Sequence, residues 1–253
     1  MINLDDIQYE DRLIVFMDLL GFRNAVDESV KDDNKSSNIR RDIASIVNYN
    51  VFLKQANEES CADLGKYKGL EIMVFSDSIV ISKNANSNIS NREFLFGIVW
   101  HCYNIYNNNF LVRGGISYGK LVHKGNKCFG PAMNRAYKLE SEMAIYPRIV
   151  IDDAALEYLK DDNLKKEFII KDRKDKMNYL DILNQREFIQ DGPDLFSYED
   201  ILIKLKTIVL QNLNNKNKCN TEIAKKMKWF KKYFNKTTKR IILGKDRKRY
   251  LIK

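Results

Sequence analysis

No run of 18 apolar residues occurs in the 253-residue sequence, which excludes a membrane-spanning helix of ordinary length. The amino terminus, Met1-Ile2-Asn3-Leu4-Asp5-Asp6, is acidic and has no apolar signal core. The expectation is therefore a cytoplasmic protein with no membrane partner. Cysteine is scarce: Cys61, Cys102, Cys128 and Cys219 stand apart, with no CxxC pair. That spacing argues against zinc or a disulfide framework and for free thiols in a reducing compartment. Histidine occurs twice, as His101 and His123, without metal-ligand spacing. No recognised DNA-binding motif is present.

Apolar content of 44% is ordinary for a globular chain and supplies a sizeable core. The length fits one large domain, or one domain plus an extension. The net charge of +9 is unevenly placed. Residues 161–253 hold 24 Lys and Arg against 13 Asp and Glu, a balance of +11, which leaves −2 for residues 1–160. The asymmetry divides the chain into a candidate catalytic domain, 1–160, and a basic strand-and-helix extension, 161–253, packed on it.

The chemistry centres on Phe75-Ser76-Asp77-Ser78. Apolar runs flank it, Leu70 to Val74 before and Ile79 to Ile81 after, so the stretch reads as a β-hairpin with a polar tip. A second acid, Asp18, ends the apolar strand Leu13 to Met17 and is followed by Gly21. Were these strands neighbours, the two carboxylates would converge at one sheet edge. Such a pair suits Mg²⁺ or Mn²⁺, hard cations that share oxygen ligands with phosphates.

Along the chain, Phe22 to about Val30 reads as a helix, 32–38 as a polar loop, and Ile39 to about Ala56 as a helix. Lys83 to Asn91 is a polar loop that caps a helix over Phe94 to Asn108. Leu111 to Gly119 is a strand interrupted by Gly114-Gly115, a pair that either serves close approach or relieves crowding under a helix. A loop holds Lys120, His123, Lys124 and Lys127. Gly130-Pro131 opens the next helix, with Asn134, Arg135 and Lys138 on it. Arg148 to Ile151 is a strand, followed by a helix from Asp153 to Lys160. The predicted fold class is α+β: a ferredoxin-like βαββαβ core with one extra strand and helix, plus a mainly helical carboxy-terminal extension.

Four motifs in this order resemble the class III nucleotidyl cyclases, the adenylate and guanylate cyclases, over about residues 11 to 152. They are Phe16-x-Asp18-x-x-Gly21-Phe22, the hairpin Ser76-Asp77, Arg113-x-Gly115-Ile116-x-x-Gly119, and Gly130-x-x-x-Asn134-x-x-x-Lys138. The resemblance implies a palm-type core in which Asp18 and Asp77 hold two Mg²⁺ or Mn²⁺ ions, with the Leu19 carbonyl as a further ligand. It implies that the amides of Leu20, Gly21 and Phe22 cradle a triphosphate at a helix start. Asn134 would orient the ribose, and Lys138, or Arg135 in its place, would stabilise charge at phosphorus. Met73 and Lys127 stand at the family's base-reading positions. The site would form between two protomers of a homodimer.

The sequence departs from the family at four points: Ser76 for Gly, Lys138 for Arg, a short segment between Gly119 and Gly130, and both base-reading residues. Specificity for adenine or guanine is therefore not implied, and a pyrimidine nucleotide, as in bacterial anti-phage signalling, is an alternative. The activity implied is conversion of a nucleoside triphosphate to a cyclic nucleotide messenger plus pyrophosphate. Two rivals remain at this stage. One is a palm-type cyclic dinucleotide or oligonucleotide synthetase, against which stands the single hairpin carboxylate. The other is an inactive cyclase-like module that binds a nucleotide or nucleic acid.

In the extension, 168–170 and 179–183 read as strands that either extend the sheet or form a separate lobe. Ile201 to about Leu213 and Ile223 to Phe234 read as amphipathic helices, the latter with Lys225, Lys228, Lys231 and Lys232 outside its apolar face. Lysines solvated on packed helices are the favoured reading, and nucleic acid is the less favoured partner.

Overall fold

The computed structural model describes residues 7–31, 37–49, 68–186, 197–214 and 221–253. Strand β1 (Glu10–Leu20) leads into α1 (Phe22–Ser29), and α2 occupies 37–49. A hairpin of β2 (Leu70–Phe75) and β3 (Ser78–Asn84) precedes α3 (Asn91–Asn107), β4 (Leu111–Lys124), β5 (Lys127–Phe129) and α4 (Pro131–Lys138). Then come β6 (Ile149–Ile151), α5 (Asp153–Tyr158), α6 (Asp162–Phe168), β7 (Ile169–Lys171) and β8 (Asn178–Leu180). The helices α7 (Tyr198–Asn214), α8 (Thr221–Ile241) and α9 (Arg247–Tyr250) complete the described elements. The segments 1–6, 32–36 and 50–56 of the sequence reading, with Cys61 and Cys219, lie outside the described residues. Cys102 and Cys128 are free thiols.

The strands form one sheet in the order β2-β3-β1-β4-β6-β8-β7, with β5 on β4. β1 is antiparallel to both β3 and β4, so the first four strands have the ferredoxin-like arrangement. β6 then adds parallel to β4, and β8 adds antiparallel to β6. The two strands of the extension therefore continue the central sheet. β1 reads as an unbroken apolar run because it lies mid-sheet, with both faces covered over Leu13–Met17.

Alternation along β1 sorts the faces. Leu13, Val15 and Met17 join the large core shared with α3, α7 and α8. Ile14 and Phe16 join a smaller cluster with Val80 and with Ala132 and Ala136 of α4. Asp18 is next in the α4-facing series. Helix α3 starts on a capping box in which the Glu93 amide donates to Ser90 Oγ and the Ser90 amide to Glu93 Oε2, an arrangement worth about 1 kcal/mol.

The glycine pair in β4 serves packing. A Cβ on Gly114 would lie 2.5 Å from the Phe16 carbonyl oxygen. One on Gly115 would collide with the Ala136 carbonyl and the Leu139 side chain. These are β1 backbone on one side and α4 on the other, which cannot yield as a flexible side chain would. Gly115→Ala is expected to destabilise the fold by about 1–3 kcal/mol, seen as a lower urea midpoint.

Two expected boundaries shift. The loop after Gly119 is instead the continuation of β4 and its hairpin with β5, where His123 pairs with Cys128. The strand carries polar residues inward because they bond to each other: Arg12 Nε donates to Ser82 Oγ at 2.9 Å, and Ser82 Oγ lies 2.8 Å from His123 Nδ1. Helix α8 runs past Phe234 to Ile241, since Thr237 and Thr238 are buried in spite of their hydroxyls.

Candidate active site

Asp18 sits near the end of β1, opposite Ser78 of β3 and Arg113 of β4. Asp77 lies in the turn between β2 and β3, whose preceding residue, Ser76, has a left-handed φ of 53°. The Leu19 amide donates to the Asp77 carbonyl at 3.1 Å, which ties the hairpin tip to β1. The two carboxylates thus meet at one sheet edge, on the face that carries α4.

Burial raises the Asp18 carboxyl above the usual carboxylate range. The Asp77 charge adds to this, and Arg113 opposes it. The guanidinium of Arg113 is shared. Its Nε and Nη2 donate to Asp18 Oδ2 at 3.4 Å each, long for charged partners, and Nε lies 2.5 Å from Glu140 Oε1. The Glu140 contact lacks hydrogen-bond geometry: Glu140 Oε1 is buried without a bonded partner among the described residues.

Sequence reasoning missed Glu140, which looks like an ordinary solvated helix acid. It lies in the π-helical turn Leu139–Met143 that ends α4, and the turn rotates it under the sheet, where it is 3% exposed. Burial pushes its carboxyl up to about 7, with Arg113 opposing and Asp18 and Asp77 adding. The signal that would have found it is Arg113, a strand cation facing α4 that needs an anionic partner on that helix.

Arg113 is therefore shared between Asp18 and Glu140, and the nearby Asp77 charge raises both of those carboxyls. The oxygen donors of Asp18 and Asp77, close enough for each to act on the other, suit a hard divalent cation. Among the described residues, no group of three or more His, Cys, Asp or Glu side chains is placed to hold a metal ion.

Immediately after Asp18, Leu19 is buried and Leu20 half-buried. Gly21 has φ +88° and is the N-cap of α1, where no side chain caps the free amides. Phe22 opens the helix and is buried beside Phe110. The start of α1 at Gly21 and Phe22, directly after the end of β1, thus has first-turn N–H groups that no side chain caps, close in sequence to Asp18.

The remaining expected residues lie farther out. Asn134 and Lys138 are exposed on the face of α4 opposite its buried Ala132 and Ala136, and Lys138 Nζ is 3.9 Å from Glu142. Arg135 is held: its Nε donates to Ser117 Oγ at 3.1 Å and lies 3.5 Å from Asp152, and its Nη2 donates to the Tyr118 carbonyl at 2.5 Å. It fastens α4 to β4 and to the cap of α5, which leaves Lys138 as the less constrained cation of that pair. Met73 is half-buried on β2 beside the small cluster, and Lys127 is exposed on β5.

No protein-family model matches the chain, and no curated protein matches its sequence. Solved structures do match in shape. The adenylyl cyclase CyaB from P. aeruginosa has 15% identity and a TM-score of 0.43, over 68% of this chain and 92% of that one. The catalytic core of a rhodopsin-guanylyl cyclase with converted specificity, solved with ATPalphaS, has 14% identity and a TM-score of 0.41, over 68% and 94%. A class III adenylyl cyclase-like ATP-binding protein from Pseudomonas aeruginosa has 14% identity and a TM-score of 0.38, over 81% and 44%. Such scores carry no weight for activity, substrate or metal. No helix among the described residues is long and apolar enough to cross a membrane. In shape, the chain is similar to class III nucleotidyl cyclase domains.

Proposed function

We propose that this protein is a metal-dependent nucleotidyl cyclase that converts a nucleoside triphosphate to a cyclic mononucleotide and pyrophosphate. The observation that carries the reading is the closeness of Asp18 and Asp77 beside the uncapped start of α1 at Gly21. Residues 1–160 are the catalytic layer of this proposal and 161–253 the basic one.

The Leu20, Gly21 and Phe22 amides bind the triphosphate where the helix dipole favours anions. Asp18, Asp77 and the Leu19 carbonyl would hold two Mg²⁺ or Mn²⁺ ions. The cation supplies charge neutralisation on the phosphate oxygens and a more acidic ribose hydroxyl. Arg113 and Glu140 keep Asp18 oriented toward the hairpin tip. Asn134 and Lys138, exposed on α4, act from a second copy of the chain, Asn134 on the ribose and Lys138 on charge developing at phosphorus. Lys138 does this as a point charge and not as a bidentate fork. The ribose 3′-oxygen forms a bond to the α-phosphorus as the bond from that phosphorus to the pyrophosphate oxygen breaks. The hydroxyl proton passes to solvent or to the departing pyrophosphate. Met73 and Lys127 contact the base, with a pyrimidine among the candidates, and the product serves as a messenger, in anti-phage signalling on the widest reading.

Purified protein incubated with each of the four ribonucleoside triphosphates and Mn²⁺, with products read by mass spectrometry, tests this. A 3′,5′-cyclic monophosphate is expected from one of them. A dinucleotide product would replace the reading with a synthetase. No product from any of the four would overturn it.

A further inference from the structure

Helix α8 buries Met227, Phe230, Tyr233 and Phe234 against the core. Its outer face carries Lys225, Lys228, Lys232, Lys236 and Lys239, all exposed and spaced three or four residues apart. At 1.5 Å per residue the stripe is about 21 Å long. Glu222 is the only acid in the helix, and it lies 3.8 Å from Lys225 at one end. Among the described residues, the ammonium groups of Lys228, Lys232, Lys236 and Lys239 take part in no ion pair. Like charges at this spacing repel one another, so the stripe is a standing cost in the free protein.

Beside the stripe runs a groove of about 720 Å³ between α8 and the outer end of β7, where Lys171, Arg173 and Lys174 add further cations. Its floor is aromatic. Tyr146 and Trp229 stack with centroids 5.0 Å apart and planes within 3°, and both are half-buried. The acids near the groove are already satisfied from beneath. Arg148, 1% exposed, donates to Asp172 at 3.2 Å and to Asp175 at 2.5 Å, and Trp229 Nε1 donates to Asp172 at 2.7 Å. The field above the groove is therefore left to the lysines.

We propose that this groove binds single-stranded nucleic acid, with α8 tracking the phosphates and the Tyr146–Trp229 floor taking bases. Length argues for a polyanion over a mononucleotide, since the stripe spans several phosphates. The aromatic floor argues for a single strand, because a duplex hides the faces of its bases. Counterions released from the strand add a favourable, salt-dependent term. The inference stands apart from the cyclase reading, and its test uses no triphosphate or metal.

The test is fluorescence anisotropy of full-length protein with a labelled oligouridine of roughly 20 nucleotides, at about 50 to 200 mM NaCl. Binding is expected to weaken steeply with salt and to quench tryptophan emission. The triple substitution Lys228→Ala, Lys232→Ala, Lys236→Ala removes exposed side chains that hold no ion pair, and an unchanged melting curve checks that the fold survives. It should weaken binding at low salt by tenfold or more. It should also reduce the slope of log affinity on log salt by about 2, at about 0.7 for each phosphate no longer neutralised. Trp229→Phe should keep affinity within a few-fold and lose most of the quench. Equal binding by wild type and triple variant would overturn the proposal. So would duplex of the same length bound as tightly as the single strand, or phosphatidylserine vesicles bound with the same dependence on the three lysines when oligouridine is not.

Discussion

If the proposed cyclase reading holds, Asp77→Asn is expected to eliminate turnover while leaving the metal-free protein folded and slightly more stable than wild type. The substitution keeps the size and turn-forming habit of Asp77 but deletes its charge. Like-charge repulsion from Asp77 is one of the forces that raise Asp18, second to burial. Deleting it relieves a cost the folded state bears and the unfolded chain does not. The gain appears as a small rise in melting temperature, at roughly 2–4 °C for each kcal/mol in a chain this size. Turnover should fall on the order of 10³-fold or more, equivalent to about 4 kcal/mol in the barrier. The paired reading is Mn²⁺-dependent stabilisation: wild type should melt higher with Mn²⁺ and Asp77→Asn should not. A variant that loses activity but keeps the full Mn²⁺ shift would remove Asp77 from the metal site.

Between pH 7 and 4, two buried histidines and one buried carboxyl should act on this protein's stability with opposite signs, since burial pushes Glu140 up to about 7 and its protonation favours the folded state. Both histidines of the sequence are buried and held neutral. His101 bonds through Nδ1 to the Tyr49 hydroxyl at 2.6 Å, and burial lowers it from 6.5 to about 4. His123 is lowered to about 3 by burial and by the nearby Arg12. In the unfolded chain both accept protons near pH 6.5, while the folded protein resists until far lower pH. The histidine contribution is thus fully present above about pH 6.5 and declines as pH falls toward 4, where the unfolded state binds more protons at these two sites. On the order of 3 kcal/mol is at stake for each histidine. The urea midpoint measured from pH 8 to 4 should drop below pH 6.5, by less than the two histidines alone would give because Glu140 offsets part of it. His101→Gln, which cannot take a proton, should flatten the drop, whatever it does to stability at pH 8. A midpoint flat down to pH 5 would show that the imidazoles gain water or charge in the native state.

The hairpin, Asp18 and the glycine pair were legible because local chemistry alone produces them. A polar tip between apolar runs turns, and an apolar run ending in Asp marks a buried strand at its exit. What escaped the sequence are polar residues buried through one another. His123 reads as loop until Ser82, 41 positions earlier, bonds to it. Glu140 reads as solvated until Arg113 faces it across the sheet. Thr237 and Thr238 look like the end of α8 but lie inside it. Arg148 looks like the exposed start of a strand, yet its guanidinium is buried among Tyr146, Tyr179 and Trp229. Each depends on a partner distant in sequence, which periodicity does not see.

The position of β1 also governs how the chain is made. Val15 pairs with Ile81 on one side and Ile116 on the other, so the strand synthesised first waits for both neighbours. A ribosome adding about 5–20 residues each second leaves Leu13–Met17 unpaired for about 5–20 s before β4 emerges. During that interval a fully apolar strand has at least its β4-side hydrogen-bonding edge free, and its β3-side edge as well until β3 emerges. The segment that carries Asp18 is therefore the one whose yield depends most on translation speed and chaperone cover.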